Sequence, residues 1–590
     1  KEKAGETLLN EATINDITGD KAIGNDITGD KAIGNDILGN GASASKTVSS
    51  EALETETSLP NFRQGDAIIL YERNRDTDNV TNKMVFKGNI EYLTENEISI
   101  RLRATQQNPS VLPAESLYAI EHDTMDTTFR SMYQGLYIYL SARKERRDLL
   151  LSQRPPRFDE SLDSMISRSE DDFTRIALKA KAAQDYFLLI GPPGTGKTSC
   201  ALKKMVETFH ADKDAQILLL SYTNRAVDEI CKSLASIAPA VDFIRVGSEL
   251  SCDEAYRGHL IENELSSCNR RSEVYERIRN CRIIVGTVVA ISGKPELFCL
   301  KHFDVAIIDE ATQILEPQLL GILCARGEDG KDAIDKFVLI GDHKQLPAVV
   351  QQNTEQSAIY DESLLSIGLT NLKDSLFERL YRNCTATVHR SYDMLCRQGR
   401  MHPEVALFAN RAFYGGRLIP VGLPHQIESS DTICRLAFYP SVPEKAGASA
   451  KINYSEARIV ADLAARIYED HQTDFDESRT LGIITPYRSQ IALIKKEIES
   501  LGIPALNRIL VDTVERFQGS ERDVIIYSFC VNYPYQLKFL SNLTEEEGVL
   551  IDRKLNVALT RARKQMFITG VPELLERNPL YKLSLIHISE

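Results

Sequence analysis

Several features that would assign a protein to a class at once are missing from this sequence. No apolar run approaches the ~18 residues of a membrane-spanning helix, and no signal peptide opens the chain. The eleven cysteines form no CxxC pair and no Cys/His cluster at metal-ligand spacing, which argues against an iron–sulfur or zinc site. We therefore expect reduced thiols and a protein that works in the cytoplasm, or at the nucleoid of a bacterium, and not at a membrane.

A positive net charge is missing as well. The formal charge of −14 argues against a protein that coats nucleic acid electrostatically, although it leaves room for a local basic channel. The chain has 590 residues, of which 43% are hydrophobic and 26% charged. This composition suits a globular protein of about three or four domains at ~150 residues each.

Both ends of the chain differ in composition and residue pattern from its middle. The unit NDITGDKAIG occurs twice in residues 15–40 and then decays. We expect 1–59 to be a disordered low-complexity tail, with a calcium-binding turn array as the alternative. Because the first residue is Lys1, we expect a processed or missing N-terminus. The stretch LSLIHISE at 583–590 resembles translated adapter DNA, and we interpret it as an artefact of a truncated gene model.

The segments after the tail change from a strand pattern to a helical one. Short apolar runs separated by turn residues predict a small accessory β-barrel at 60–122; the runs lie at 67–71, 84–93 and 97–103. A helical stalk is predicted at 123–164, where apolar residues recur at helical spacing at Phe129, Met132, Tyr133, Leu136 and Leu140.

The remainder of the chain alternates between buried strands and amphipathic helices. Continuous apolar strands separated by helices predict an α/β fold with parallel sheets covered on both faces. The strands fall into two sets, which indicates two α/β domains at 165–383 and 384–582.

A glycine-rich turn between a strand and a helix carries the clearest chemistry. GPPGTGKT matches G-x-x-x-x-G-K-[ST] completely, and its residues are Gly191, Pro192, Pro193, Gly194, Thr195, Gly196, Lys197 and Thr198. Backbone N–H groups of such a turn close around phosphates, and the N-terminus of the following helix adds positive potential. We expect Lys197 to reach the β- and γ-phosphates of ATP, and the Thr198 hydroxyl to bind Mg²⁺.

Two further strand ends supply polar groups for hydrolysis. VAIIDEATQ places Asp309 at the carboxyl edge of the sheet, where we expect it to hold Mg²⁺ through water while Glu310 polarises the attacking water. FVLIGDHKQLP places Asp342 and Gln345 where we expect them to sense the γ-phosphate. Together these corners predict half of a hydrolysis site.

The other half requires a cation, and the second domain offers arginines. Arg400 lies in RQGRMHPEVALFAN, and Arg561 and Arg563 lie in LNVALTRARKQ, where we predict that a helix begins. An arginine supplied across a domain cleft stabilises phosphoryl transfer and makes hydrolysis depend on closure. Taken singly, each arginine also fits a solvated surface position.

Eight motifs in order resemble a superfamily 1 helicase. They are GPPGTGKT, SYTNRAVDEI, IIDEATQ, GDHKQLP, QGRMHP, GIITPYRSQ, VDTVERFQGSERD and LNVALTRAR. The resemblance covers 60–582 and is greatest to the 5′→3′ branch (superfamily 1B), which includes the nonsense-mediated-decay RNA helicase and the Okazaki-fragment nuclease–helicase. EHDTMDTTF at 121–129 is similar to the helicase half of the latter. The resemblance implies two tandem RecA-like P-loop NTPase domains with an accessory β-barrel and a helical stalk.

The resemblance also implies roles for individual residues. The first domain would bind and act on ATP and Mg²⁺ through Lys197, Thr198, Asp309, Glu310 and Gln345. The second domain would contribute Arg400 and Arg561 to the γ-phosphate, and Gly519 and Glu521 to the ribose. The path of single-stranded nucleic acid would be lined by Thr223, Asn224, Thr287, Tyr487 and Thr513. Such contacts go mostly to phosphate and sugar, so we expect binding that is largely independent of sequence.

Two departures from the family pattern concern the adenine base. The family often has a tyrosine before the motif arginine, where this chain has Gly399. The stretch at 170–186 also lacks a glutamine near Phe173. Both changes remove contacts to the base and leave the phosphate-binding groups intact, so we expect hydrolysis with loose selectivity for adenine.

These patterns favour an ATP-dependent translocase that acts as a monomer, moves along single-stranded DNA and separates duplexes, with 5′→3′ polarity implied by the resemblance. ATP would clamp the two domains, and hydrolysis would release them. An RNA helicase of the same architecture fits the same motifs, because contacts to the 2′-hydroxyl cannot be read from sequence. An ATPase clamp that never unwinds, and an ATPase switch acting only on proteins, stay open as well. No nuclease constellation occurs in residues 1–60.

Overall fold

A computed structural model describes most of the chain. The described residues are 62, 65–93, 97–104, 108–123, 127–350, 352–387, 389–428, 434–444, 449–546 and 548–589. The tail predicted at 1–59 lies outside them. The chain divides into two compact units, Lys1–Met125 and Asp126–Glu590. Among the residues described, no helix has the length and apolar character needed to cross a bilayer.

The described part of the first unit is a four-stranded antiparallel sheet in the order β3-β2-β1-β4. Its strands are β1 (Ala67–Glu72), β2 (Val85–Leu93), β3 (Ile98–Leu102) and β4 (Tyr118–His122). Apolar and polar residues alternate along β3, so Ile98 and Ile100 are buried with Ile68 while Arg101 faces solvent. The predicted strands are therefore present, and closure of this sheet into a barrel stays a prediction.

The second unit contains a seven-stranded parallel sheet in the order β11-β5-β10-β9-β6-β8-β7. Its strands are β5 (Tyr186–Ile190), β6 (Ile217–Ser221), β7 (Phe243–Val246), β8 (Ile283–Thr287), β9 (Phe303–Ile308), β10 (Ile334–Gly341) and β11 (Tyr392–Met394). The four strands β5 to β8 are buried along their whole length, because helices cover both faces.

Helices α1 to α13 belong to this part of the chain. They are α1 (Thr127–Ser141), α2 (Lys144–Leu150), α3 (Asp163–Arg168), α4 (Asp172–Ala182), α5 (Lys203–His210), α6 (Asn224–Ala235), α7 (Ile261–Glu264), α8 (Arg271–Asn280), α9 (Val288–Ser292), α10 (Glu296–Leu300), α11 (Glu316–Leu323), α12 (Glu362–Ser366) and α13 (Leu376–Ala386). A π-helical turn, Lys197–Leu202, leads into α5.

A second parallel sheet follows, in the order β14-β20-β17-β15-β16. The strands from here on are β12 (Arg397–Gln398), β13 (Ile419–Pro420), β14 (Leu436–Pro440), β15 (Leu481–Ile484), β16 (Leu510–Asp512), β17 (Arg522–Ser528), β18 (Leu543–Glu546), β19 (Val549–Asp552) and β20 (Ala562–Gly570). Strands β12 and β13 pair with each other, and β18 and β19 form a hairpin. The two parallel sheets confirm the predicted α/β class.

Helices α14 to α22 accompany the second sheet. They are α14 (Pro403–Tyr414), α15 (Pro424–Ile427), α16 (Tyr454–Asp470), α17 (Arg488–Glu499), α18 (Val514–Phe517), α19 (Leu537–Leu540), α20 (Arg553–Leu559), α21 (Pro572–Leu575) and α22 (Pro579–Ser589). Most of the terminal stretch that we interpreted as an artefact lies in α22, where Ser584 is buried. The predicted domain boundaries stay a prediction.

Helix α1 is present where the helical spacing predicted it, but most of the side chains that carried the prediction face solvent. Phe129, Tyr133 and Leu140 are 58%, 75% and 66% exposed. The opposite face packs on α11 through Gly135 and Gly321, and a Cβ atom at Gly135 would overlap the backbone of α11. Small residues thus give α1 its close contact, and the apolar stripe is left open.

Candidate active site and nucleic-acid interface

The P-loop turn connects β5 to the π-helical turn at the carboxyl edge of the first sheet. Gly194 and Gly196 have φ values of 72° and 76°, a left-handed conformation that favours glycine. A Cβ atom at Gly194 would overlap the side chain of Arg400, which comes from the second sheet's part of the chain. The Gly399 N–H also donates to the Gly194 carbonyl at 2.8 Å. The second unit thus has a first half, built on the sheet that contains β5, and a second half, built on the sheet that contains β20. The two halves meet directly at the phosphate-binding turn.

The acidic groups predicted after β9 lie beside this turn. The Thr198 hydroxyl donates to the Asp309 carboxylate, and Lys197 Nζ lies 3.5 Å from Glu310 Oε1. Burial, and then the charge of Glu310, raise the pKa of Asp309 to about 6. Glu310 has a φ of 53°, which is unusual for a residue other than glycine and typical of functional sites. These hydroxyl and carboxylate oxygens are ligands that Mg²⁺ prefers, so the residues fit the predicted ion.

The corner after β10 is tied to the second half by a hydrogen-bond chain. Gln345 Nε2 and the Tyr414 hydroxyl both donate to Asp342 Oδ2 at 2.7 Å. Asn556 Nδ2 donates to the Tyr414 oxygen at 2.9 Å and to the Lys344 carbonyl at 2.7 Å. Asp342 therefore orients Gln345 and joins the two halves. Sequence reasoning missed Tyr414 and Asn556, although Asn556 lies inside the LNVALTRAR motif.

Arg561 reaches the site from the second half. Its side chain is almost completely buried, and Nη2 lies 3.4 Å from Gln345 Oε1. Burial, and then the charge of Arg400, lower its pKa to about 9. No carboxylate pairs with this guanidinium among the contacts of the described residues, so its charge is poorly compensated. An arriving polyanion would supply the missing compensation.

The prediction that a helix begins at Arg561 is wrong. Helix α20 ends at Leu559 and β20 begins at Ala562, so Arg561 lies at a helix-to-strand junction. The Asp552 carboxylate accepts from the N–H groups of Lys554 and Leu555 and starts the helix before the motif, at Arg553. The junction turns the Arg561 side chain back along the last turn of α20, where Nε donates to the Val557 carbonyl at 3.0 Å.

The remaining predicted ATP-site residues cluster beside Arg561. Arg400 Nε donates to the Glu521 carboxylate, and its Nη1 donates to the Thr560 carbonyl at 3.3 Å. Gly519 has a φ of 80° in the turn that precedes Glu521. Arg563 instead pairs with Asp523 at 3.2 Å. The structure thus brings Arg400, Glu521 and Arg561 together, and Arg563, which pairs with Asp523, also has its Nε 3.7 Å from Glu521 Oε1.

Residues predicted to touch nucleic acid in the first half follow β6 and β8, which are adjacent strands. The Thr223 hydroxyl accepts from Ala226 N at 3.2 Å and caps α6, while Asn224 is half-buried. The Thr287 hydroxyl accepts from Ala290 N at 3.1 Å and caps α9. These residues share the carboxyl edge with the phosphate site but lie on the neighbouring strands.

Strand β9, which leads to the phosphate site, and strand β6, which leads to the predicted nucleic-acid residues, are hydrogen-bonded to each other. Asp309 N–H donates to the Leu220 carbonyl at 2.8 Å, and the Ser221 hydroxyl donates to the Asp309 carbonyl at 3.2 Å. Leu220 and Ser221 belong to β6, which leads directly to Thr223.

Residues predicted to touch nucleic acid in the second half follow β15 and β16. Tyr487 is the residue before α17, and Thr513 is the residue before α18, both at the carboxyl ends of their strands. The Tyr487 oxygen accepts from Gln536 Nε2 at 3.1 Å, and burial raises the pKa of Tyr487. Both halves therefore present their predicted nucleic-acid residues at a carboxyl edge.

Two parallel α/β sheets that share one P-loop site define a tandem RecA-like P-loop NTPase. Family models described as AAA domain match residues 168–274 and 262–353 in one case and 372–573 in the other. The chain belongs to the superfamily 1 helicases, in the group that its sequence resembles.

Curated relatives extend beyond the region that this chain matches. The DNA replication ATP-dependent helicase/nuclease JHS1 of Arabidopsis thaliana is 28% identical over 90% of this chain and 39% of its own length. The DNA replication ATP-dependent helicase/nuclease DNA2 of Homo sapiens is 28% identical over 89% of this chain and 49% of its own. The regulator of nonsense transcripts 1 homolog of Neurospora crassa is 27% identical over 70% of this chain and 38% of its own. The chain thus spans less than half the length of these relatives.

A solved structure also resembles the chain. The arterivirus nonstructural protein 10 helicase in complex with DNA has a TM-score of 0.33 and 16% identity, and the match covers 68% of this chain and 65% of that one.

Proposed function

We propose that this protein is an ATP-dependent helicase that translocates along single-stranded DNA and separates duplexes. The observation that carries the proposal is the site shared by the two halves. Arg561 approaches Gln345, and Gly399 donates to the P-loop carbonyl of Gly194. A phosphate group in this turn would contact both halves, so binding and hydrolysis of ATP would change how firmly the halves are held together.

The residues of the site divide the chemistry between them. Lys197 would bind the β- and γ-phosphates, the Glu310 carboxylate would orient the attacking water and accept its proton, and Arg561 would balance charge on the transferred phosphoryl group. Thr198 and Asp309 would hold Mg²⁺, which when bound would neutralise phosphate oxygens. Gln345, held by Asp342, would report the presence of the γ-phosphate to the second half. Arg400 would add a second cation, and Glu521 would face the ribose.

The nucleic-acid track would run along the carboxyl edges of both sheets. Thr223, Asn224 and Thr287 would hold the backbone on the first half, and Tyr487 and Thr513 on the second. Alternating grip by the two halves would move the strand, with 5′→3′ polarity proposed from the family. Two of the named relatives are DNA replication helicase/nucleases, which favours DNA as the track.

An RNA helicase is the second candidate, because one named relative is a regulator of nonsense transcripts. We further propose that the protein acts as a monomer. A reducing compartment suits the eleven cysteines, all of which are free thiols in the described residues.

Steady-state ATPase rates of the full chain test the proposal. Rates are measured alone, with single-stranded DNA and with RNA of equal length, and Lys197→Ala serves as the blank. We expect strong stimulation by DNA, followed by displacement of a strand from a duplex with a 5′ tail. Stimulation by RNA alone would replace DNA with RNA as the track. Equal rates in all three conditions would overturn the helicase assignment.

A further inference from the structure

An exposed cluster of aromatic rings lies after β17, in a segment that none of the predicted sites uses. The rings of Tyr533 and Tyr535 are stacked, with centroids 5.7 Å apart and planes 14° apart. Phe539 meets Tyr535 edge-on at 6.4 Å. Tyr535 and Phe539 are 53% and 62% exposed. These large rings thus face solvent together, which scattered surface residues do not do.

The cluster stands on a rigid base. The Gln536 side chain is buried, and its Oε1 accepts from the N–H groups of Asn532 and Tyr533, each at 2.9 Å. Its Nε2 donates to the Ala450 carbonyl at 2.8 Å and to the Tyr487 hydroxyl at 3.1 Å. The backbone that carries the rings is therefore anchored before any ligand arrives, so little backbone freedom remains to be lost on binding.

The cluster lies next to the proposed nucleic-acid track. Strands β17, β15 and β16 are neighbours in the second sheet, and all three run parallel. Their carboxyl ends lead to Tyr533, Tyr487 and Thr513 respectively. The Gln536–Tyr487 hydrogen bond joins the cluster directly to the track. The aromatic rings thus extend the same edge by one strand.

We propose that Tyr533, Tyr535 and Phe539 form a platform on which bases of single-stranded nucleic acid stack. This proposal rests on the proposed function, because it extends the same track. Residues 529–540 contain one lysine, exposed Lys538, and no acidic residue, although the whole chain carries a net charge of −14. A strand's phosphates would therefore meet no carboxylate of this segment. Because every base has an aromatic face, the platform would add base contact without sequence preference.

A binding comparison between normal and abasic strands tests the platform. Fluorescence anisotropy measures the Kd of the full chain and of Tyr535→Ala/Phe539→Ala for a labelled oligothymidylate and for an abasic oligomer of equal length. We expect the double variant to bind the oligothymidylate between about 5-fold and about 150-fold more weakly for each base that loses its stack. Affinity for the abasic oligomer should not change.

Matched variants separate stacking from loss of structure. Tyr535→Phe/Phe539→Tyr keeps both rings and should keep the affinity of the wild type. Tyr360→Ala removes a ring that is 81% exposed and lies between β10 and α12, and it should leave both Kd values unchanged. If the double alanine variant fails to fold, photocrosslinking of the wild type to 5-bromouracil DNA decides the question, with adducts expected on the cluster.

The outcomes distinguish this proposal from the function on which it rests. Equal losses for normal and abasic strands, or adducts elsewhere only, would overturn the platform. Strong binding by the wild type with no effect of the double variant would overturn the platform and leave the track intact. Failure of the wild type to bind either strand would overturn the track and the platform together.

Discussion

Replacing Arg561 with methionine should make the ligand-free protein more stable while it removes activity. The guanidinium is 2% exposed and has no carboxylate partner among its contacts in the described residues. Its pKa falls from 12.5 to about 9 through burial and then through the charge of Arg400. We expect methionine, whose unbranched apolar side chain matches the stem of Arg561 and carries no charge, to remove this electrostatic cost.

The magnitude follows from the pKa. Each tenfold loss of proton affinity is worth about 1.4 kcal/mol, so keeping Arg561 charged costs the folded protein at most about 5 kcal/mol. At pH 7 both the folded and the unfolded chain hold the proton, so the whole cost is present. It fades as the pH rises through about 9, where the folded protein releases the proton first.

Lost hydrogen bonds reduce the gain. The Val557 carbonyl keeps a donor, the Thr560 hydroxyl at 3.1 Å, when Arg561 is removed. The Ser520 carbonyl and the Gln345 amide oxygen lie 3.4 Å from the guanidinium, so each contributes about 1 kcal/mol or less. The net free energy of unfolding should therefore rise by roughly 1–3 kcal/mol, within the range seen when buried ions are replaced by apolar residues.

Thermal unfolding and steady-state ATPase assays check both parts. We expect a higher melting temperature without nucleotide, by roughly 2–4 °C for each kcal/mol in a domain of ~200 residues. Turnover should fall by about 10³-fold or more. Arg563→Met is the matched control, because Arg563 pairs with Asp523 at 3.2 Å and its removal should not raise the melting temperature. A lower melting temperature for Arg561→Met, or wild-type turnover, would refute the reasoning.

Three further changes probe the site and its closure. Lys197→Ala should abolish hydrolysis without lowering the melting temperature, and a wild-type ATPase rate would remove this lysine from the site. Gly194→Ala should reduce turnover by at least tenfold, because its φ of 72° and the neighbouring Arg400 side chain leave no room for a Cβ atom; unchanged kcat and KM would contradict this packing. Burial favours a higher pKa for Glu546, but the hydrogen bonds and charges of His343 and Lys344 together outweigh it and hold the pKa at about 2. This contact between β18 and the first half is therefore fully present above the ordinary pKa of 4.5 and is lost only as the pH falls through about 2. Glu546→Gln should raise the Kd of a fluorescent ATP analogue several-fold at neutral pH, and an unchanged Kd would show that the contact does not support closure.

The strand ends of the first sheet could be predicted from sequence because each carries a local signal. A continuous apolar run predicts a buried parallel strand, and parallel strands end at one edge. That reasoning suffices to bring Thr198 and Asp309 together, and the structure has them hydrogen-bonded. The same reasoning places Thr223 and Thr287 at this edge, and the structure adds that the strands before them, β6 and β8, are neighbours.

Contacts between distant elements could not be predicted in this way. Tyr414 ends α14 without any motif, and its hydrogen bond to Asp342 depends on how the two halves meet. The helical spacing along α1 predicted a helix but not which face is covered, because the covered face is the one that carries Gly135, Ile138 and Tyr139 and not the predicted apolar stripe. The start of a helix at Arg561 was wrong because the Asp552 cap acts at an earlier position in the chain.

The hydrogen bonds between β9 and β6 limit where the use of ATP can become disconnected from movement. The backbone of Asp309 is bonded through both its N–H and its carbonyl to Leu220 and Ser221, and the chain reaches Thr223 two residues later. Neighbouring strands lie only about 4.8 Å apart, so there is no flexible segment between them that could absorb a displacement. Variants that hydrolyse ATP without moving along single-stranded nucleic acid should therefore arise from changes in the second half, and rarely from changes at this edge of the first sheet.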